Sequence, residues 1–128
     1  MRSLVRWLLP VLLGLNGLIM LILPGPWYDA VPGVTQTGPF NPHFVRDIGA
    51  AYLACAAGLA WWAARRTGPA GAVLPVAVFL GLHMIVHLVE SLIGHHPVSD
   101  IGRDFVGVYL PALIAVWIVW RGLKTKEA

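Results

Sequence analysis

Four long apolar stretches divide the 128-residue chain, at about residues 4–23, 43–65, 71–93 and 100–121. Each approaches or exceeds the ~20 residues that a helix needs to cross a bilayer. Polar positions within them recur three and four apart, the period of one helical face. The pattern predicts four helices. The first run stops at Pro24-Gly25-Pro26, a strong breaker. Asn41-Pro42 reads as the start of the second helix, with Asn41 as N-cap and Pro42 in the first helical position. The short turn from Arg65 to Ala70 makes the second and third helices antiparallel neighbours. Pro97 and Ser99 open the fourth, with Ser99 as its cap. The segment 24–42 holds five prolines and three glycines, and reads as an ordered loop folded back on the helices.

Composition narrows the class. The chain is 58% hydrophobic and 12% charged, against about 25% charged in ordinary globular domains. With about 90 residues in apolar spans, no room remains for a soluble domain. The expected fold is therefore all-α: one domain, 1–128, forming an integral membrane four-helix bundle. The apolar run near the N-terminus is too long for a signal-peptide core, so it reads as a retained span. The lone Cys55 excludes an intrachain disulfide.

The net charge of +3 does not point to nucleic acid, because the basic residues flank spans. Arg2, Arg6, Arg65, Arg66, Arg121, Lys124 and Lys126 all lie at one expected face, which the positive-inside rule makes cytoplasmic. Both termini are then inside, and the expected location is the inner (cytoplasmic) membrane of a bacterium. Trp7, Trp61, Trp62, Trp117 and Trp120 fall at the inner interface, Trp27 and Tyr28 at the outer one. The partner this predicts is the lipid bilayer; assembly into a homo-oligomer or a larger membrane complex stays open.

The histidines and all but one of the acids lie in the outer half. His83, His87, Glu90 and Gly94 follow a 4-3-4 spacing on the third helix. His43, Asp47, Ala50 and Ala54 do so on the second, and Asp100, Asp104, Gly107 and Pro111 on the fourth. Small residues let membrane helices approach closely, so these stripes are expected to face the interior. Ionisable groups inside spans are costly and point to function. Asn16 marks a deeper polar contact on the first helix.

Three chemistries fit this set. His43, Asp47, His83, His87, Glu90 and Asp104 are candidate ligands for a divalent metal, Zn, Fe, Mn or Cu. The same groups suit a proton relay or a polar head group such as a quinone carbonyl, with Arg46, Arg103 and Asp100 as ligand-binding anchors. They also suit a purely structural cluster that fastens helices. For the arginines, a cross-pairing of Arg46 with Asp104 and Arg103 with Asp47 is expected. His95 and His96 read as a solvated turn. No GxSxG, Walker A, CxxC or GxGxxG motif is present, so the sequence does not decide whether the protein is an enzyme.

An internal echo accompanies these stripes. Arg46-Asp47 and Tyr52 match Arg103-Asp104 and Tyr109 as R-D-x-x-x-x-Y, shifted by 57 residues. Two helical hairpins repeated about an axis along the membrane normal would produce it.

The segment from Phe44 to Leu53, with Arg46, Gly49 and then Gly58, resembles the R-x-x-G…G helix of small four-helix bacterial membrane proteins in the broad DoxX-like group. The resemblance implies a four-span membrane protein, in a group some of whose members are linked to quinone-coupled sulfur oxidation. His83, His87 and Glu90 lie outside that pattern.

Overall fold

Helix boundaries follow the capping chemistry. The computed structural model describes residues 2–65, 70–94 and 97–124. All regular structure within them is helical, with no strand among the described residues. The chain divides into two units, 1–63 and 64–128, each a helical hairpin in its own right. His95, His96, Arg66 and Lys126 lie outside the described residues.

In the first unit, α1 (Arg2–Ile22) ends because Leu23 precedes a proline, which disfavours helical dihedrals. Leu23 adopts φ −128° and ψ 56°, and α2 (Pro24–Ala30) starts at once. Its axis turns 118° from that of α1. A tertiary bond holds this bend: the Trp27 indole Nε1 donates to Asn16 Oδ1 at 2.9 Å. The polar contact expected of Asn16 is thus made with a residue eleven positions on. A 3-10 turn (Val34–Gln36) follows, entered through Gly33 at φ 87°, a left-handed conformation that glycine adopts without penalty. The Tyr28 hydroxyl donates to the Gly38 carbonyl at 2.6 Å, and its ring packs on Phe40 at 5.2 Å. The proline-rich segment is accordingly ordered and closed on itself.

The next helix, α3 (Pro42–Ala64), opens as its sequence predicts. The Asn41 Oδ1 accepts from the backbone N–H of both His43 and Phe44 at 3.1 Å. Those are two of the four donors that a helix start leaves unmatched. Replacing Asn41 by Ala should therefore cost about 1 kcal/mol, and Asp should restore most of it. Thermal unfolding in detergent measures both; an unchanged Ala variant would mean that the cap contributes nothing.

The α1 and α3 helices run antiparallel, through Arg6 over Trp62, Gly14 against Ala56, Gly17 against Gly49 and Arg46 against Leu21. Leu13, Met20, Val45, Tyr52 and Leu59 are buried. The other side of α1 exposes Leu8, Val11, Leu12, Leu15, Leu18, Ile19 and Ile22, a continuous apolar stripe at three- and four-residue spacing. Water would not tolerate it; hydrocarbon would.

The second unit comprises a 3-10 turn (Ala70–Ala72), α4 (Leu74–Ile93), α5 (Pro97–Asp104), a π-helical stretch (Phe105–Tyr109) and α6 (Leu110–Lys124). The last three follow without interruption. Widening to π geometry is visible in the Leu110 N–H, which donates to the Phe105 carbonyl five residues back. Pro111 supplies a cause. It has no N–H for the carbonyl four residues earlier, and its ring would collide with that carbonyl in an α-helix. The core of this hairpin is Val73, Val76, Ala77 and Leu80 on one side and Ala112, Ala115 and Ile118 on the other.

Among the described residues, three helices are long and apolar enough to cross a membrane: Pro42–Ala64, Leu74–Ile93 and Val98–Lys124. The bent pair Arg6–Ile22 and Pro24–Ala30 meets the same criterion when the two are joined.

Candidate functional site

The strongest polar constellation lies where α4 meets α5. Asp104 is buried, with only 8% of its side chain exposed. Its carboxylate takes three bonds. The Arg103 Nε donates to Oδ1 at 2.8 Å and Nη2 to Oδ2 at 3.3 Å. His87 Nδ1 lies 2.7 Å from Oδ2. A carboxylate already accepting from a guanidinium is acceptor-only, so the imidazole nitrogen facing it is the one that carries and donates the hydrogen. That assigns the Nδ1–H tautomer to His87 and leaves Nε2 as the position for proton exchange. The imidazole is 25% exposed, so it is reachable from outside the helix pair. Arg103 also donates through Nη1 to Asp100 Oδ1 at 2.9 Å.

A second chain of contacts runs down α4 from His87. The His87 and His83 rings meet edge to face, with centroids 4.6 Å apart. His83 in turn stacks parallel to Phe79, at 6.1 Å. Four-residue spacing places these three rings one above another on a helix face. The ladder leads from the buried carboxylate towards the middle of the α4 span.

Not every expected member joins this cluster. Glu90 is exposed on α4, and the buried polar residue of that turn is Ser91. On α3, His43 Nε2 and Asp47 Oδ2 pair with each other at 3.3 Å, with 87% and 62% of their side chains exposed. The buried side of α3 carries Val45, Gly49, Tyr52 and Ala56 instead. The expectation that the His43-Asp47-Ala50-Ala54 stripe turns inward is therefore corrected. Small residues occur on both sides of this helix, so their presence does not choose a face. Among the described residues, no group of three or more His, Cys, Asp and Glu side chains is placed to hold a metal ion. The described residues thus lend the expected metal set no support.

The arginine cross-pairing also gives way. Arg103 bonds its own sequence neighbour because its long, forked side chain spans the ~100° between adjacent helix positions. Arg46 donates to the Leu21 carbonyl at 3.2 Å. That carbonyl is one of the last four of α1, which have no partner within the helix, and the positive charge suits a helix C-terminus. Three residues on, Gly49 lets α1 approach. The R-x-x-G element thus serves helix packing, and the two halves of the internal echo use their arginines differently.

We found no matching family model, no matching curated protein and no matching solved structure.

One further residue enters the sequence pattern only through the internal echo. Tyr109, at the end of the π stretch, is buried and its hydroxyl has no hydrogen-bond partner. The only signal was the echo of Tyr52, which carried no chemical meaning by itself.

Proposed function

We propose that this is a multi-pass protein of a bacterial inner membrane whose His87–Asp104 dyad binds a small ligand from the lipid phase and exchanges a proton with it. The single observation that carries the reading is the 2.7 Å contact between His87 and an almost fully buried Asp104 within an apolar span. A carboxylate that orients an imidazole and balances its positive charge is the arrangement used for general acid–base chemistry. The bond to Nδ1 directs Nε2 away from Asp104, where it accepts from a hydroxyl when the ring is neutral and donates to a carbonyl oxygen when the ring is protonated. A quinone or quinol head group has that chemistry and reaches the site through the bilayer.

In this proposal the protein is a four-helix membrane bundle with both termini cytoplasmic. At 1.5 Å per residue the 21 residues of α1 span about 31 Å, enough to cross the hydrocarbon alone. The α2 helix then lies along the outer interface, with Trp27 and Tyr28. Exposed Trp117 and Trp120 carry Arg121 and Lys124 over their rings at 5.3 and 4.1 Å, as an inner-interface belt would. Kinship with the DoxX-like group and descent from a doubled hairpin belong to the same proposal.

A decyl-substituted benzoquinone and its quinol, titrated onto the full chain in detergent, test the ligand. Binding by the native protein, lost by at least about tenfold in His87→Ala and unchanged in His43→Ala, is expected, since a hydrogen bond to a charged pair is worth about 1.5–3 kcal/mol. Equal binding by His87→Ala, or none by the native chain, overturns it. If the native chain instead carries stoichiometric Zn, Fe, Mn or Cu that a His83→Ala/His87→Ala variant loses, the metal reading replaces this one.

A further inference from the structure

The Tyr109 hydroxyl is the one buried side-chain polar atom among the described residues that lacks a partner. It sits in an unusual place. A π stretch occupies Phe105–Tyr109, and such single widened turns recur at functional sites. Five residues separate Asp104 from Tyr109. In an α-helix that spacing would swing the tyrosine well off the face of the aspartate. With hydrogen bonds closing over five residues, the two fall on one side, and both are buried.

The antiparallel register gives the depth. Gly94 lies beside Asp100 and His87 beside Asp104, so residue numbers on the facing elements sum to a near-constant value. Continued by one turn, that register brings Tyr109 level with His83. The widened turn thus sets Tyr109 at the depth of the His87–His83 ladder, one turn inward of Asp104. Buried polar groups almost always find partners, and an unmade bond is costly. A tyrosine kept in that state, where phenylalanine would pack equally well, is explained when something else supplies the partner.

We propose that Tyr109 is a ligand-binding residue, its hydroxyl donating to a carbonyl or hydroxyl oxygen of the lipid-soluble molecule that meets His87. This rests on the proton-exchange reading of the dyad. The ligand class is an uncharged ring or chain with two oxygens, one met by His87 and the other by Tyr109. The π stretch is then the device that brings the second contact onto the face of the first.

Two measurements on the full chain in detergent decide it. In the absence of ligand, Tyr109→Phe should unfold at the same temperature as the native protein or higher, because it deletes a buried group that has no partner. A fall of several degrees would show that the hydroxyl is bonded within the protein, and would overturn the proposal. With decyl-substituted benzoquinone as probe, Tyr109→Phe should bind about tenfold more weakly. If the native chain binds, His87→Ala does not and Tyr109→Phe binds like the native chain, the role of Tyr109 is wrong while the dyad stands. If neither the native chain nor the variants bind, the dyad reading fails and takes this one with it.

Discussion

Replacing Asp104 by Ala should destabilise the α4–α6 hairpin by about 3–5 kcal/mol, the cost of removing one partner from a buried ion pair. Asp104 is the common acceptor for Arg103 and His87. Its loss leaves a guanidinium with only Asp100, which is 26% exposed, and strips His87 of the bond that orients it. Two controls give the number meaning. Asp100→Ala removes a partly exposed partner and should cost less than about 1 kcal/mol. Asp104→Asn keeps the shape and one acceptor oxygen, and should fall between the two. Unfolding of the full chain in detergent, by heat or denaturant, reads all three. An Asp104→Ala variant as stable as Asp100→Ala would mean that the carboxylate is solvated and the cluster is not a buried network.

The second large effect lies in the first hairpin. A methyl group on Gly17 would sit 2.7 Å from the Gly49 carbonyl oxygen, and one on Gly49 would sit 2.8 Å from the Met20 Cβ and 3.0 Å from the Gly17 oxygen. None of those atoms is the movable end of a side chain, so the helices themselves must separate. Either Gly→Ala change should cost about 1–3 kcal/mol through overpacking, and Val at either position should abolish the α1–α3 contact. Gly14 is the internal control. Its added methyl meets the Ala56 Cβ at 3.6 Å, an ordinary contact, and Gly14→Ala should be neutral or gain up to about 1 kcal/mol of helix propensity. Equal stability of Gly14→Ala and Gly17→Ala would mean that the close crossing does not exist in the folded protein.

These two effects differ in how visible they were. Gly49 and Arg46 stood out in the sequence as a spaced pair, yet nothing there says that the arginine caps a helix or that the glycine admits a neighbouring backbone. Both facts concern groups more than twenty residues away. Asp104 and His87 were each on a polar stripe, but their bond depends on the register of two helices, and a shift of one residue would have matched other groups. The inward turn expected of His43 and Asp47 failed for a related reason. Ala50 and Ala54 line one side of α3, and Gly49 and Ala56 another, so a rule based on small residues had two answers. Packing against Gly14, Gly17 and Met20 chose between them.

What the sequence by itself determined is whatever depends on a few adjacent residues: the apolar stretches, the Asn41-Pro42 start, the stop at Pro24, the basic residues gathered at one end of each apolar stretch. Hydropathy and capping are local, and a helix needs no distant partner for its backbone hydrogen bonds. Only the tertiary structure decided which polar groups meet. It brought Trp27 back to Asn16 and seated Arg46 on the end of α1. It joined His87 to Asp104. Each of these is a contact between positions far apart in the chain, fixed by helix register and close packing, and no local pattern encodes it.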